Sequence, residues 1–310
     1  MRRAVLATLV ASSMGVALAG QPAAAHARVR VVDQSRPPTV CATANATCAS
    51  WRRLDGWSAV ASVYATSFRP AGQPSVVAYA TWMRSSATDL ALYPGYEGPG
   101  ATSLPRGPEM VPASARGRLL ATFNSGFYEA DRPAGFYTHG ILYFPMVRGL
   151  ATVVRYVSGR VGVVSWAGGP RPGANILMAR QNLPLLVSDS RPSALSADNT
   201  AWGLTLHGVP AVWRTALGVD ASGNLVYAAA PAQTSATLAT IMTDLHCVRA
   251  MELDINPEWP IFVSYGAPGA LKPSLVVPNP NQIPGRFLYP STKDFFALYV
   301  RQQVGAPQPW

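Results

Sequence analysis

The chain has 310 residues, 49% hydrophobic and 13% charged, with a formal net charge of +10. That balance excludes a disordered chain and leaves ample length for one sizeable core or two small ones. The positive charge is almost all arginine, with Lys272 and Lys293 as the two lysines, and it is dispersed. The absence of a basic stripe interleaved with aromatics argues against a nucleic-acid partner, while the net charge favours anionic wall polymers or phosphorylated glycans.

The opening M-R-R-A-V-L-A-T-L-V-A-S-S-M-G-V-A-L-A has a basic start and an apolar run too short to span a bilayer, which predicts a secretory signal. Ala19 and Ala25 each close an A-x-A pattern, and cleavage after Ala25 makes residues 1–25 the signal. No later run is long and apolar enough for a membrane helix. The expected product is secreted, extracellular or cell-wall associated, with no membrane contact after signal removal; the oligomeric state is not legible. Residues 26–50 read as an irregular segment with a disulfide loop between Cys41 and Cys48, and 51–310 as one domain. Four scattered histidines and no C-x-x-C give no zinc site.

Along the chain, Trp57–Ala65 and Ser75–Met83 predict an early antiparallel pair of strands, and Tyr93–Gly100 breaks into a loop. Leu119–Phe123 predicts a strand delivering Asn124 onto the glycine-containing loop N-S-G-F-Y, either as an amide for a ligand or as an Asx turn. His139 and Gly140 precede a strand at I-L-Y-F; V-V-R-Y-V-S-G-R-V-G-V-V carries a hairpin with Ser158-Gly159 at its tip. Gln181–Ser190 reads as a short strand and 201–230 as a meander. Thr234–Arg249 predicts a capped helix containing Cys247 as a buried free thiol, and Ser291 or Thr292 caps a second helix packing Phe295, Phe296, Leu298 and Tyr299. The Pro-rich 278–290 reads as a surface loop.

The densest charge follows the first helix, in H-C-V-R-A-M-E-L-D-I-N-P-E-W. If extended, this stretch puts Met251, Leu253 and Ile255 on one face and Glu252, Asp254 and Asn256 on the other. Pro257 should end the strand near Asn256, with Glu258 on the following turn. Like charges on adjacent same-face positions repel unless a proton, ligand or counter-ion holds them, so the cluster is a candidate site. Paired carboxylates suit glycoside hydrolysis. A phosphate leaving group makes the acid dispensable and calls instead for a cationic clamp, for which Arg214 inside an apolar strand is the candidate. Its alternative is an ion pair with Glu252 or Asp254. His139 is a candidate acid, base or phosphate donor, or a structural histidine. No cofactor is required; the alternating oxygens of D-I-N-P-E leave a divalent cation near Asp254 as an open alternative.

The order of N-S-G-F-Y, P-A-G-F-Y-T-H-G-I-L, Q-N-L-P-L-L-V-S-D, R-T-A-L-G-V-D-A-S-G-N-L and A-M-E-L-D resembles the phosphodiester glycosidase domain family, over roughly 119–265. The resemblance implies a mixed α and β fold around a large sheet. With the elements above, the expected class is α+β: a large mixed, mainly antiparallel sheet with a few packed helices. It also implies cleavage of a sugar-1-phosphodiester, with Asn124, Arg214 and Asp254 at the family's motif positions. The residues themselves, apart from that resemblance, add Glu252 and Glu258 as further catalytic candidates and Gly126, His139 and Asn256 as candidate substrate contacts. Where the family has glycines and a serine after the aspartate, this chain has I-N-P-E, so close backbone approach to phosphate is lost. Either Asn256 and Glu258 recast the pocket, or the fold serves as a noncatalytic carbohydrate-binding or wall-associated module.

Overall fold

Runs of Val, Tyr, Phe and Leu cut by Gly, Pro and Asx turns fold into eighteen strands and one α-helix among the described residues. The structure, a computed structural model, describes 34–302 apart from 46, 101–102 and 203–207. The signal segment and His207 lie outside the described residues. Those described belong to the unit Val31–Trp310.

Three sheets result. The first runs β1 (Arg52–Arg53), β2 (Val63–Phe68), β3 (Ala78–Met83), β14 (Leu225–Gln233), β13 (Val212–Asp220), β15 (Cys247–Glu252), β11 (Leu185–Ser188), β12 (Arg191–Pro192). The second runs β7 (Ile141–Phe144), β6 (Phe136–Thr138), β10 (Ile176–Gln181), β8 (Ala151–Tyr156), β9 (Val161–Ser165). The third runs β17 (Leu271–Leu275), β16 (Phe262–Ala267), β5 (Leu119–Asn124), β18 (Phe295–Val300), β4 (Thr88–Tyr93). All pairings between these strands are antiparallel. The class is thus mainly β, three sheets rather than the expected single sheet with packed helices.

The largest apolar cluster draws on all three sheets: Met83, Leu217 and Met251 from the first, Val153 and Met178 from the second, Phe123, Phe262 and Phe296 from the third. The other face of the first sheet carries Ala216, Ala228 and Ala250, small enough for helix α1 (Ser235–Asp244) to settle Leu238, Ile241 and Met242 against them. A capping box at Thr234 and Thr237 starts that helix as expected. It stops sooner than expected, because His246 is left-handed (φ 61°) and turns the chain into β15. Cys247 is therefore a strand residue, though buried and free as anticipated, its thiol pushed up by burial.

The second expected helix is β18. Phe296 and Leu298 enter the central cluster while Phe295, Ala297 and Tyr299 pack with Phe287 on the opposite face. A strand buried on both faces shows no polar alternation, so its apolar run mimics a helix. The β2/β3 pair forms, although β2 starts only at Val63, after Asp55 has gathered the Ser62 N–H (2.8 Å) and hydroxyl (2.6 Å) into a turn. The β8/β9 hairpin turns at Ser158-Gly159, and β13/β14 turn where Asp220 accepts from the Ser222 and Asn224 N–H groups, both at 2.9 Å. The expected strand at Gln181–Ser190 divides into the end of β10 and β11 around Pro184. Cys41 and Cys48 are bonded.

Candidate functional site

Several strand ends meet where β15 stops. It stops at Glu252, earlier than Asn256, although the Thr215 backbone still bonds the Leu253 N–H (2.8 Å) and the Asp254 carbonyl (3.1 Å); side chains from elsewhere add further partners here. Asn182 donates to the carbonyls of Glu252 (2.8 Å) and Leu253 (2.9 Å), and the Thr215 hydroxyl donates to that of Asp254 (2.8 Å). Asn124, at the end of β5, donates to Thr215 Oγ1 (3.0 Å) and accepts from the Tyr227 hydroxyl (2.8 Å) and the Ile261 N–H (3.3 Å). Gly126 makes room: a Cβ there would stand 3.2 Å from the Asn182 side chain.

The Asp254 carboxylate, 2% exposed, accepts from the Asn256 N–H (2.9 Å) through Oδ1 and from Lys293 Nζ through Oδ2. Burial pushes its carboxyl up, and Lys293 opposes the shift. Asn256 in turn accepts the Glu258 N–H at 3.0 Å, so D-I-N-P-E is a pair of Asx turns with the Glu258 side chain exposed. Lys293 lies 4.6 Å from the Tyr128 ring centroid and 5.2 Å from that of Trp259, and the two rings meet edge to face. Their negative faces stabilise an ammonium held away from water. Arg286 lies on Trp259 at 4.9 Å. Next to Lys293, Asp294 binds buried Arg180 at 2.9 Å, and Glu129 approaches the same guanidinium at 3.2 Å. Burial pushes the Glu129 carboxyl up, against the pull of Arg180.

The other sequence candidates take different places. Arg214 is fully buried and pairs with Glu252 at 2.7 Å; its guanidinium also donates to the carbonyls of Gln233 (2.9 Å), Trp202 (3.3 Å) and Pro210 (3.4 Å). Burial pushes Glu252 up to about 8, with Arg214 opposing. Strand alternation turns Arg214 and Glu252 toward the helix α1 side, like Ala216 and Ala250, whereas Thr215 and Asn124 face the central cluster beside Tyr227. The amide and the guanidinium therefore lie on opposite faces of the first sheet, joined through the backbone of 214–215 and 252–254. His139 occupies the β6/β7 hairpin turn with φ 53°, its ring 6.0 Å from Tyr93 and its pKa lowered by burial. No cluster of three or more His, Cys, Asp or Glu among the described residues is placed to hold a metal ion.

Residues 117–254 match the phosphodiester glycosidase family. The phosphodiester glycosidase match ends at Asp254 and contains Asn124, Arg214 and Glu252, while Trp259, Arg286 and Lys293 lie beyond it. Among solved structures, similarity extends to the zebrafish N-acetylglucosamine-1-phosphodiester alpha-N-acetylglucosaminidase catalytic domain auto-inhibited by its pro-peptide. It is 16% identical over 83% of this chain and 89% of that one, with a TM-score of 0.47. A hypothetical protein from Synechocystis is 13% identical over 83% and 65% (TM-score 0.47), and a putative exported protein from Burkholderia pseudomallei 12% over 74% and 75% (TM-score 0.33). Comparison with curated protein sequences finds no match.

Sequence reasoning did not find Lys293, Tyr128, Trp259 or Arg286. The one available signal was a lysine in an arginine-rich chain, set in K-D-F-F and read as the start of a helix. No helix among the described residues is long and apolar enough to cross a membrane.

Proposed function

We propose that the protein is a secreted hydrolase that cleaves sugar-1-phosphodiester linkages in cell-envelope or extracellular glycans. The observation that carries this reading is the Asp254 carboxylate, at the end of the phosphodiester glycosidase match, buried with Lys293 between Tyr128 and Trp259. In the proposed reaction a water oxygen bonds to the sugar anomeric carbon, and the carbon to phosphate-oxygen bond breaks. The bonding pair leaves on the phosphate, and Asp254 takes the proton from water. A carboxyl raised by burial is a better base near neutral pH than an exposed one. Phosphate leaves as an anion, so no acid is required. Asn124, through Thr215, fixes the Asp254 backbone, while Arg214 fixes Glu252; both are positioning residues here.

The test is hydrolysis of a sugar phosphodiester in ¹⁸O-water. Label in the sugar, with unlabelled phosphomonoester, is the expected result; label in the phosphate, or no turnover, contradicts it. A second reading, a noncatalytic carbohydrate-binding or wall-associated module, is favoured by one observation: Asp254, Arg214 and Asn124 all have protein partners. Glycan binding without products, unchanged in Asp254→Asn, is its signature.

A further inference from the structure

Outside the family match, the loop after β4 and the chain entering β18 enclose a cleft of about 390 Å³ lined by Tyr96, Ile283, Arg286, Tyr289, Pro290, Ser291 and Thr292. Its apolar members are unusually open to solvent: Tyr289 is 66% exposed, Ile283 63% and Tyr96 46%. Large rings held out of the core at a concave surface offer flat faces for the C–H side of a sugar.

Arg286 is the charged residue of this wall. It is partly buried, and burial lowers its pKa, so its charge is already partly stripped of water. Among the described residues it forms no ion pair with a carboxylate. Its hydrogen bonds are long, to Gln282 Oε1 (3.3 Å) and Thr292 Oγ1 (3.5 Å), and leave most of its five donors unused. Its guanidinium carbon lies over Trp259, 4.9 Å from the ring centroid, which connects it to the ring that also faces Lys293. Buried Arg214 has Glu252 and three carbonyls instead. Exposed Glu97, next to Tyr96 in sequence, and buried Asp294 both act electrostatically on Tyr128.

We propose that this cleft is a binding subsite for a phosphate-bearing sugar, with Arg286 receiving the phosphate oxygens and Tyr96 and Tyr289 the sugar ring. A planar fork donates two parallel hydrogen bonds to a pair of phosphate oxygens, a fixed geometry that a point-like ammonium lacks. The choice of a sugar phosphate rests on the hydrolase reading; the anion site itself does not.

Calorimetry on the whole protein with glucose, mannose and N-acetylglucosamine 1-phosphates, the three parent sugars and inorganic phosphate tests this. At least one sugar phosphate should bind tenfold or more tighter than its parent sugar and than phosphate alone, and tenfold or more weaker to Arg286→Gln and Tyr289→Ala. Arg286→Lys should fall between wild type and the glutamine variant. Tyr289 is largely exposed, so its variant keeps the fold, which circular dichroism verifies. Failure of all three sugar phosphates to bind, equal binding of phosphate alone, or wild-type affinity in both variants overturns the proposal. The Asp254→Asn variant separates the two readings. If it binds the sugar phosphate normally while the wild type hydrolyses no phosphodiester, the subsite stands and the hydrolase reading falls.

Discussion

Two buried ion pairs flank the end of β15 and have opposite surroundings. Arg214 and Glu252 lie under helix α1, where backbone carbonyls occupy the rest of the guanidinium, so the pair is closed on the protein. Asp254 and Lys293, two residues on, are walled by Tyr128 and Trp259 and continue through Arg286 to a surface cleft. Burial of charge alone does not mark a site. What separates these pairs is whether their neighbours are spent carbonyls or rings and donors leading outward.

Breaking the closed pair should have the largest effect on stability. Arg214→Met leaves the buried Glu252 carboxyl and three carbonyls without their donor and should cost about 3–5 kcal/mol in urea unfolding. Arg214→Met with Glu252→Leu should recover most of that. The matching double change, Asp254→Leu with Lys293→Met, should also recover stability yet show no turnover; activity in it would erase the contrast. Asn124→Ala removes a donor and an acceptor beneath Asp254 and should cost about 1–3 kcal/mol while lowering kcat. Replacing Cys41 and Cys48 by serine opens a short loop far from both pairs in sequence, and should cost about 2 kcal/mol without altering KM.

Glu252 gives a pH signature of smaller size. Its folded pKa of about 8 lies above the ordinary 4.5, so between those values the folded state holds a proton that the unfolded state releases. Its contribution to stability is full below about pH 4.5 and is lost as pH rises to about 8. Unfolding curves at pH 5 and pH 8 should show this loss in the wild type and a flatter response in Glu252→Gln. Glu258→Gln, at an exposed turn, should change stability by less than about 0.5 kcal/mol.

The sequence made local features legible where chemistry is local. The Asx and glycine turns, the Thr234 cap, the disulfide and the acid cluster all follow from residues near one another. It misplaced β18 because a strand packed on both faces has no period-two signature, and that error concealed Lys293, whose partner lies 39 residues earlier. It placed Arg214 in a buried strand but not on which face, since alternation gives relative sides only. The aromatic walls were hidden for a similar reason: Tyr128 follows β5 and Trp259 precedes β16, and they meet through the antiparallel pairing of those two strands, far apart in sequence.

The most direct test is ³¹P NMR of a sugar phosphodiester incubated with wild-type protein and with Asp254→Asn, each verified as folded by circular dichroism. The wild type should convert the diester signal to a phosphomonoester, and the variant should be slower by about two to four orders of magnitude. Equal rates in the two proteins would contradict a catalytic carboxylate at Asp254.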